Sequence, residues 1–420
     1  MKNQSINLII KRKFRVLVIA ALCLVTMNVF SQDKAKSSEN TFKSYWKNGY
    51  QLVSKDGKFK MKFGGRIQYD WAYFGQDAAL EDEFGSLGNG AEFRRARFFN
   101  SGQIYGNIKY KIQLDFTGGK VSFKDVYINI SKLPIVGNLK IGHFKEPFRL
   151  EALTSSKYIT FMERGLPIAM STERNSGFMI HNSLIKSRLA YQFGVFRNAD
   201  SYGNAKQAND GYSITSRISG SLIKNDEKDQ LLHLGLAYSY RKPQTKEYKI
   251  KSRPEAHLGN YYVNTGTIEN VNSITHLGTE AALVLGPLSF QAEYIVSTIK
   301  TQTATANVNY SFKGYYGQVS YFLTGEIRKY KNYESGFGRV KPKNNFGDGH
   351  GGTGAFEMAV RYSGLDLNDK TILGGDLKDI TLGLNWYLNP ATRLMVNYVL
   401  ADLNNVGNGN AFQMRFQIDF

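Results

Sequence analysis

The chain has 420 residues, with 54 Lys and Arg against 35 Asp and Glu, 41 Gly, 27 Phe, 26 Tyr and only 8 Pro. Charged residues make up 21% and aromatic ones 13%, a balance that excludes a disordered chain. The single cysteine, Cys23, excludes a disulfide scaffold or a cysteine-held zinc site, and no apolar run long enough for a membrane helix follows residue 31.

Residues 1–31 read as a secretory signal peptide. Lys11, Arg12, Lys13 and Arg15 form a positive head, residues 16–30 form an apolar stretch, and the cut is expected after Ser31. A lipoprotein reading of Cys23 is disfavoured by Leu22, which is too large for the position before a lipidated cysteine. Cleavage would leave 389 residues without cysteine and lower the formal charge from +19 to +14. An exported chain meets no nucleic acid, so the basic excess needs another explanation. Residues 32–58 are expected to form a short periplasmic segment and 59–420 one domain.

From residue 59 the hydrophobicity alternates with period two, the signature of strands with one apolar face. In 59–73, Phe59, Met61, Phe63, Ile67, Tyr69, Trp71 and Tyr73 alternate with Lys60, Lys62, Arg66, Gln68 and Asp70. The densest basic strand is Phe93, Arg94, Arg95, Ala96, Arg97 and Phe98. Alternation puts Arg95 and Arg97 on its polar face and leaves Arg94 near a membrane boundary, where its long stem can snorkel. Lys109 and Lys111 occupy the polar face of 108–116. Segment 146–175 contains Phe148, Tyr158, Ile159, Phe161 and Met162, too apolar for a solvated loop, and is expected to fold inward. Near it, Lys145, Arg149, Arg164 and Arg174 are either selectivity groups or partners of Glu146, Glu151, Glu163 and Glu173. Segment 326–353 holds Arg328, Lys329, Lys331, Arg339, Lys341 and Lys343. Strand counting places it at the periplasmic end, as a solvated charged loop in preference to a basic exit for anions. The chain ends with Phe412, Met414, Phe416, Ile418 and Phe420 on one face, and a C-terminal Phe is typical of outer-membrane barrels.

Sixteen such segments are predicted: 59–76, 91–105, 107–117, 123–131, 138–145, 176–184, 186–198, 211–220, 230–241, 276–285, 287–299, 310–325, 354–363, 379–388, 391–401 and 411–420. Residues 255–264 alternate poorly and read as loop. Short connections fall at 106–107, 185–186, 286–287 and 389–390. Long ones are expected at 77–90, 146–175, 242–275, 364–378 and 402–410.

A soluble sandwich would bury the apolar faces against each other. A membrane barrel turns them to lipid and keeps the polar faces in its lumen. The many full charges, the Tyr and Trp near strand ends and the short and long connections favour the second. The expected fold is all-β: a 16-stranded antiparallel transmembrane β-barrel with an inward-folded constriction loop, in the outer membrane of a Gram-negative bacterium.

On the polar faces of the clearest strands stand Lys60, Lys62, Arg66, Arg95, Arg97, Lys109, Lys111, Arg188, Arg217, Arg361, Arg393 and Arg415. Only Asp70, Asp115, Asp125, Glu293, Glu357 and Asp419 oppose them, an excess of +6. A narrow aqueous lumen walled by low dielectric focuses such a field and concentrates anions. The candidate pore-lining and anion-selectivity residues are therefore Arg66, Arg95, Arg97, Lys109, Lys145, Arg149, Arg164, Arg174, Arg361 and Arg393. No G-x-S-x-G, H-E-x-x-H or G-x-x-x-x-G-K-[ST] motif occurs, and the six His lack ligand spacing. No catalytic group, metal or cofactor is expected. A differently selective channel, a barrel hydrolase and an adhesin are the alternatives.

Five segments carry a family resemblance. They are Phe-Arg-Arg-Ala-Arg-Phe (93–98), Lys-Ile-Gly-His-Phe-Lys-Glu-Pro-Phe (140–148), Leu-Thr-Ser-Ser-Lys-Tyr-Ile-Thr-Phe-Met-Glu-Arg (153–164), Gly-Ala-Phe-Glu-Met-Ala-Val-Arg-Tyr-Ser (354–363) and Leu-Asn-Trp-Tyr-Leu-Asn-Pro-Ala-Thr-Arg-Leu-Met-Val-Asn-Tyr (384–398). In this order they resemble the phosphate-selective porin O and P family over about residues 59–420. The resemblance implies a 16-stranded porin, usually a homotrimer in outer-membrane lipid, that passes phosphate or polyphosphate. It maps the family's arginine ladder onto Arg95 and Arg97. Lys145 and Lys157 are the basic residues nearest the place of its constriction-loop lysine.

Overall fold

Period-two alternation becomes paired strand throughout. The computed structural model describes residues 41–171, 173–205, 207 and 210–420; the expected signal peptide lies outside them. Lys43 to Phe420 form one compact unit. Among the described residues sixteen strands follow one another: β1 (Lys60–Gln76), β2 (Gly90–Ile104), β3 (Ile108–Asp115), β4 (Ser122–Leu133), β5 (Gly137–Lys145), β6 (Arg174–Leu184), β7 (Leu189–Arg197) and β8 (Tyr212–Asn225). The second half comprises β9 (Gln230–Lys242), β10 (Val271–Leu285), β11 (Leu288–Gln302), β12 (Asn307–Phe322), β13 (Ala355–Asp369), β14 (Ile372–Asn389), β15 (Thr392–Leu403) and β16 (Gly407–Asp419). Each pairs antiparallel with the next, and β16 returns to β1 in the register Gly409↔Gln76 to Asp419↔Arg66. Closure removes every exposed sheet edge along the seam. Phe420 lies across its end: Gly65 N donates to Phe420 O at 2.7 Å, and a Cβ at Gly65 would meet the Phe420 ring at 2.6 Å.

Burial is inverted relative to a soluble protein. Phe416, Met358 and Tyr73 are 54%, 54% and 51% exposed, whereas Arg415, Arg361 and Asp70 are 0–4% exposed. The apolar face points outward and the charged face inward, as lipid on one side and a lumen on the other require. Among the described residues no helix is long and apolar enough to cross a membrane.

All sixteen predicted segments are strands, but two expected long connections are not loops. Residues 364–369 and 372–378 extend β13 and β14 around a turn at 370–371, and 404–406 alone joins β15 to β16. The alternation was hidden because the inward side chains there are apolar: Leu365, Leu367, Leu377 and Leu403 are buried in the lumen. The tight turns sit where expected; at 286–287, Gly286 takes φ +59°, which suits the first position of a two-residue hairpin turn. Upstream of the barrel, Tyr50–Ser54 adds a short strand to β1, from Tyr50↔Phe63 to Val53↔Lys60.

What packs against those inward leucines is a second expected loop. Residues 243–270 fold into the barrel, with Lys251–Ser252 paired to Val263–Asn264 and Tyr248 bridged to Ile268. Segment 255–264, read as loop, contributes only the two-residue strand at its end. Ile250, Val263 and Ile268 meet Ile274, Ile299 and Phe312 from the wall and Phe148, Leu166 and Met170 from the connection 146–173. Helix α1 (Ala78–Phe84), capped by Asp77 through Leu80 N at 3.0 Å, adds Leu80 to the same cluster. One side of the lumen is thus filled by a dry core.

Turns after even-numbered strands share one end with the C-terminus, so 323–354 lies there, at the end where 326–353 was expected. It is not simply a solvated loop: Glu326, Arg328, Phe337 and Val340 are buried, while Lys341 and Lys343 are exposed.

Candidate functional site

The unfilled side of the lumen is a cavity of about 560 Å³ along the β1–β5 wall, bounded opposite by the connection 146–173. It reaches Lys62 and Ser101 near the turn end and Thr117 and Lys124 near the loop end. Thirteen of its lining residues are Lys or Arg and four are Asp or Glu, an excess of nine positive charges.

The bulge in β2 concentrates this charge. Gln68 of β1 faces Arg95 and the next residue, Tyr69, faces Phe93, so Arg94 is the extra residue. A bulge re-aims side chains. Here it turns Arg94 inward together with Arg95 and Arg97, while Phe93 and Phe98 both stay outside. Arg94 therefore does not snorkel at a membrane boundary; it forms a two-pronged bond with Glu163, at 2.8 and 2.9 Å.

The acidic residues of the connection 146–173 fasten it to the wall. Glu146 accepts from Arg241 at 3.0 Å, and Glu163 also accepts from Arg415 at 2.9 Å. Glu151 accepts from Arg361 at 3.2 Å and lies 3.6 Å from Arg149, which itself donates to Glu293 at 2.9 Å. Burial pushes the Glu163 pKa up, but Arg94, Arg95 and Arg415 outweigh it and hold the carboxyl well below its usual range. Against the desolvation that pushes it up, Glu173, whose side chain is half exposed, is drawn down to about 2 by Arg174, Arg164 and Lys145. These groups stay ionised at any working pH.

With those carboxylates engaged, several cavity cations have no carboxylate within ion-pair distance among the described residues. Arg66 donates to the hydroxyls of Ser155 at 3.3 Å and Ser156 at 2.7 Å. Lys145 donates to the Ala152 carbonyl, and Arg164 to the carbonyls of Glu151 at 2.9 Å and Thr154 at 3.0 Å. Others are paired: Arg97 with Asp115 at 2.7 Å, Lys111 and Arg174 with Asp125 at 2.6 and 2.8 Å, and Lys157 with Asp419 at 2.9 Å.

Of the residues selected from the sequence, Arg66, Arg95, Arg97, Lys145, Arg164 and Arg174 come together on this cavity. Four do not line it. Lys109 is exposed beside the turn 105–107. Arg149, Arg361 and Arg393 are buried at 1–2% exposure, held by the inward loops: Arg393 donates to the Ile159 carbonyl at 2.9 Å. Sequence reasoning did not select Arg94, Lys124, Lys140 or Lys331, all of which line the cavity. For Arg94 a signal was present: Phe93 and Phe98 are an odd number of residues apart, so both can face lipid only across a bulge. Among the described residues no cluster of three His, Cys, Asp or Glu is placed to hold a metal.

A family profile described as phosphate-selective porin O and P matches residues 61–420. The chain belongs to the phosphate-selective porin O and P family. It is 28% identical over 396 residues to Porin O of Pseudomonas aeruginosa, covering 87% of this chain and 88% of that protein. Among solved structures it resembles an anion-selective porin from Comamonas acidovorans, with TM-score 0.56 and 12% identity over 86% of this chain and 100% of that one. OmpT, an outer membrane protein of Vibrio cholerae, gives TM-score 0.55 and 10% identity over 88% and 99%. In this porin the five resembling segments fall on the bulged β2, the passage from β5 into the constriction loop, that loop itself, β13, and the β14–β15 hairpin. At the loop end, a recess of about 200 Å³ shares Arg94, Arg95 and Arg164 with the cavity and adds Lys251 and Arg253, both near the Tyr261 ring at 3.9 and 4.1 Å.

Proposed function

We propose that this outer-membrane porin, exported by way of residues 1–31, passes small anions by passive diffusion, phosphate or polyphosphate among them, and works as a homotrimer. The observation that carries the reading is the cavity's excess of nine positive charges, with Arg66, Lys145 and Arg164 bonded only to neutral oxygens. A cation without a carboxylate partner is available to a passing anion. Low-dielectric walls focus the field of the whole set along the path. Arginine favours phosphate because its planar fork donates to two oxygens at once. The family's description as phosphate-selective supports the finer assignment.

The test is the reversal potential in a planar bilayer under a KCl gradient. An anion-selective sign is expected, and Arg66→Gln is expected to move it toward zero. A cation-selective sign in the unmodified chain would remove this reading.

A further inference from the structure

We propose that Glu334 is a built-in counter-anion: it occupies Lys140 from the tip of an inward-folded hairpin and weakens the hold of the cationic path on a passing anion. This deepens the anion-channel reading and rests on it.

The hairpin belongs to the connection 323–354. Tyr330–Asn332 pairs with Gly336–Phe337, which leaves residues 333–335 at its tip inside the barrel. Its position is fixed by contacts that do not use the Glu334 carboxylate. Phe337 is fully buried with Leu150, Leu231 and Val284. Arg328 donates to Gln291 at 3.0 Å, and Arg217 donates to the Tyr333 carbonyl at 2.9 Å. The Tyr333 hydroxyl lies 3.0 Å from His181 Nδ1.

From that fixed tip Glu334 meets Lys140 of β5, with Oε2 at 2.6 Å from Nζ and Oε1 at 3.6 Å from His181. The Lys140 ammonium is also 5.0 Å from the centre of the Tyr127 ring and 5.6 Å from that of Phe144. Both Lys140 and Glu334 line the cavity, but the side chain of Lys140 is 11% exposed and that of Glu334 29%. At this level water meets the carboxylate more than the ammonium. Burial pushes the Glu334 pKa up, yet Lys140 and His181 outweigh it and bring it to about 2, so the group is charged throughout the working range.

A path whose charged lining is thirteen cations against four carboxylates has a release problem. Conduction needs attraction strong enough for capture and weak enough for exit. Of the four cavity carboxylates, Asp115, Asp125 and Glu173 lie on the wall or at the end of the constriction loop. Glu334 alone comes from the turn end, on a separate support, where it covers one cation and offers a repulsive charge to the anion.

The experiment is single-channel conductance against phosphate concentration for the full chain in planar bilayers, comparing the unmodified protein with Glu334→Gln and Lys140→Met. Glu334→Gln frees Lys140, and the half-saturating phosphate concentration is expected to fall about threefold. Lys140→Met leaves Glu334 uncompensated and is expected to raise it. If the pair only fastened the hairpin, both substitutions would loosen it and move half-saturation in one direction; that result, or no change in Glu334→Gln, overturns the proposal. Should Lys140→Met fail to insert, Lys140→Gln carries the same expectation. A cation-selective unmodified channel would instead defeat the anion reading, whereas an anion-selective one unmoved by Glu334→Gln defeats this inference alone.

Discussion

Arg66 and Arg361 point into the same lumen from β1 and β13, and their partners separate them. Arg361 donates to Glu255 at 2.8 Å, contacts Glu151 and lies over the Phe161 ring, 4.3 Å from its centre. Its charge is cancelled where it stands. Arg66 meets two serine hydroxyls and keeps its charge for the cavity. Lys157 is intermediate. Burial lowers its pKa, Arg66 and Arg339 add to that, and the ion pair with Asp419 does not restore it, leaving a value of about 8. The ammonium is therefore charged below that value and neutral above it. Under a fixed KCl gradient the anion-selective reversal potential is expected to shrink between pH 7 and pH 9. Lys157→Arg, which holds its proton across the range, is expected to flatten that step. A profile equally steep in Lys157→Arg would remove Lys157 from the path.

The barrel strands were legible because lipid outside and charge inside enforce strict alternation, as in β1 and β16. Legibility failed where something other than water met the inward face. Leu365 and Leu367 break the polar register of β13 because Val263 and Ile268 cover them, a contact between residues about 100 apart in sequence that no local pattern reveals. It failed again at Arg94, where the bulge shifts the register within one strand. The site was half legible for the same reason. Period two showed which arginines face inward, but not which of them an inward loop would neutralise. Arg361 illustrates the consequence for these elements. It joins β13 to both inward loops, through Glu151 in one and Glu255 in the other. Removing one partner of a buried pair strands the other charge and costs about 3–5 kcal/mol. Arg361→Met is expected to leave the barrel closed, with unchanged heat-modifiable migration on a gel. The constriction loop should become accessible to protease and the single-channel current noisier. Arg66→Gln, by contrast, should shift selectivity without added noise. Equal noise in the two variants would contradict the division between fastening and conducting arginines.

Across the whole molecule the lumen divides into a dry side and a wet side. The core of Ile250, Val263, Ile299, Phe312 and Leu365 excludes water from the wall formed by β10–β15 near the loop end. Water and mobile charge are left to the β1–β5 side, where the basic excess is concentrated. Confinement beside a low-dielectric filling strengthens the field of each cation over what it would have in an open pore. On the proposed reading, most of the cavity cations would act on a passing anion at a distance, through water, and such a field is open to screening. The screening length is about 10 Å at 0.1 M salt and about 3 Å at 1 M. A path whose selectivity comes from the summed field should lose it over that interval. The anion-to-cation permeability ratio, measured at a constant concentration ratio from about 0.05 to about 1 M KCl, is expected to fall steadily toward unity as the screening length contracts. Direct contact with a partly desolvated group such as Arg66 is screened far less. A ratio that stayed constant across the series would therefore assign selectivity to that contact and not to the field of the nine excess charges.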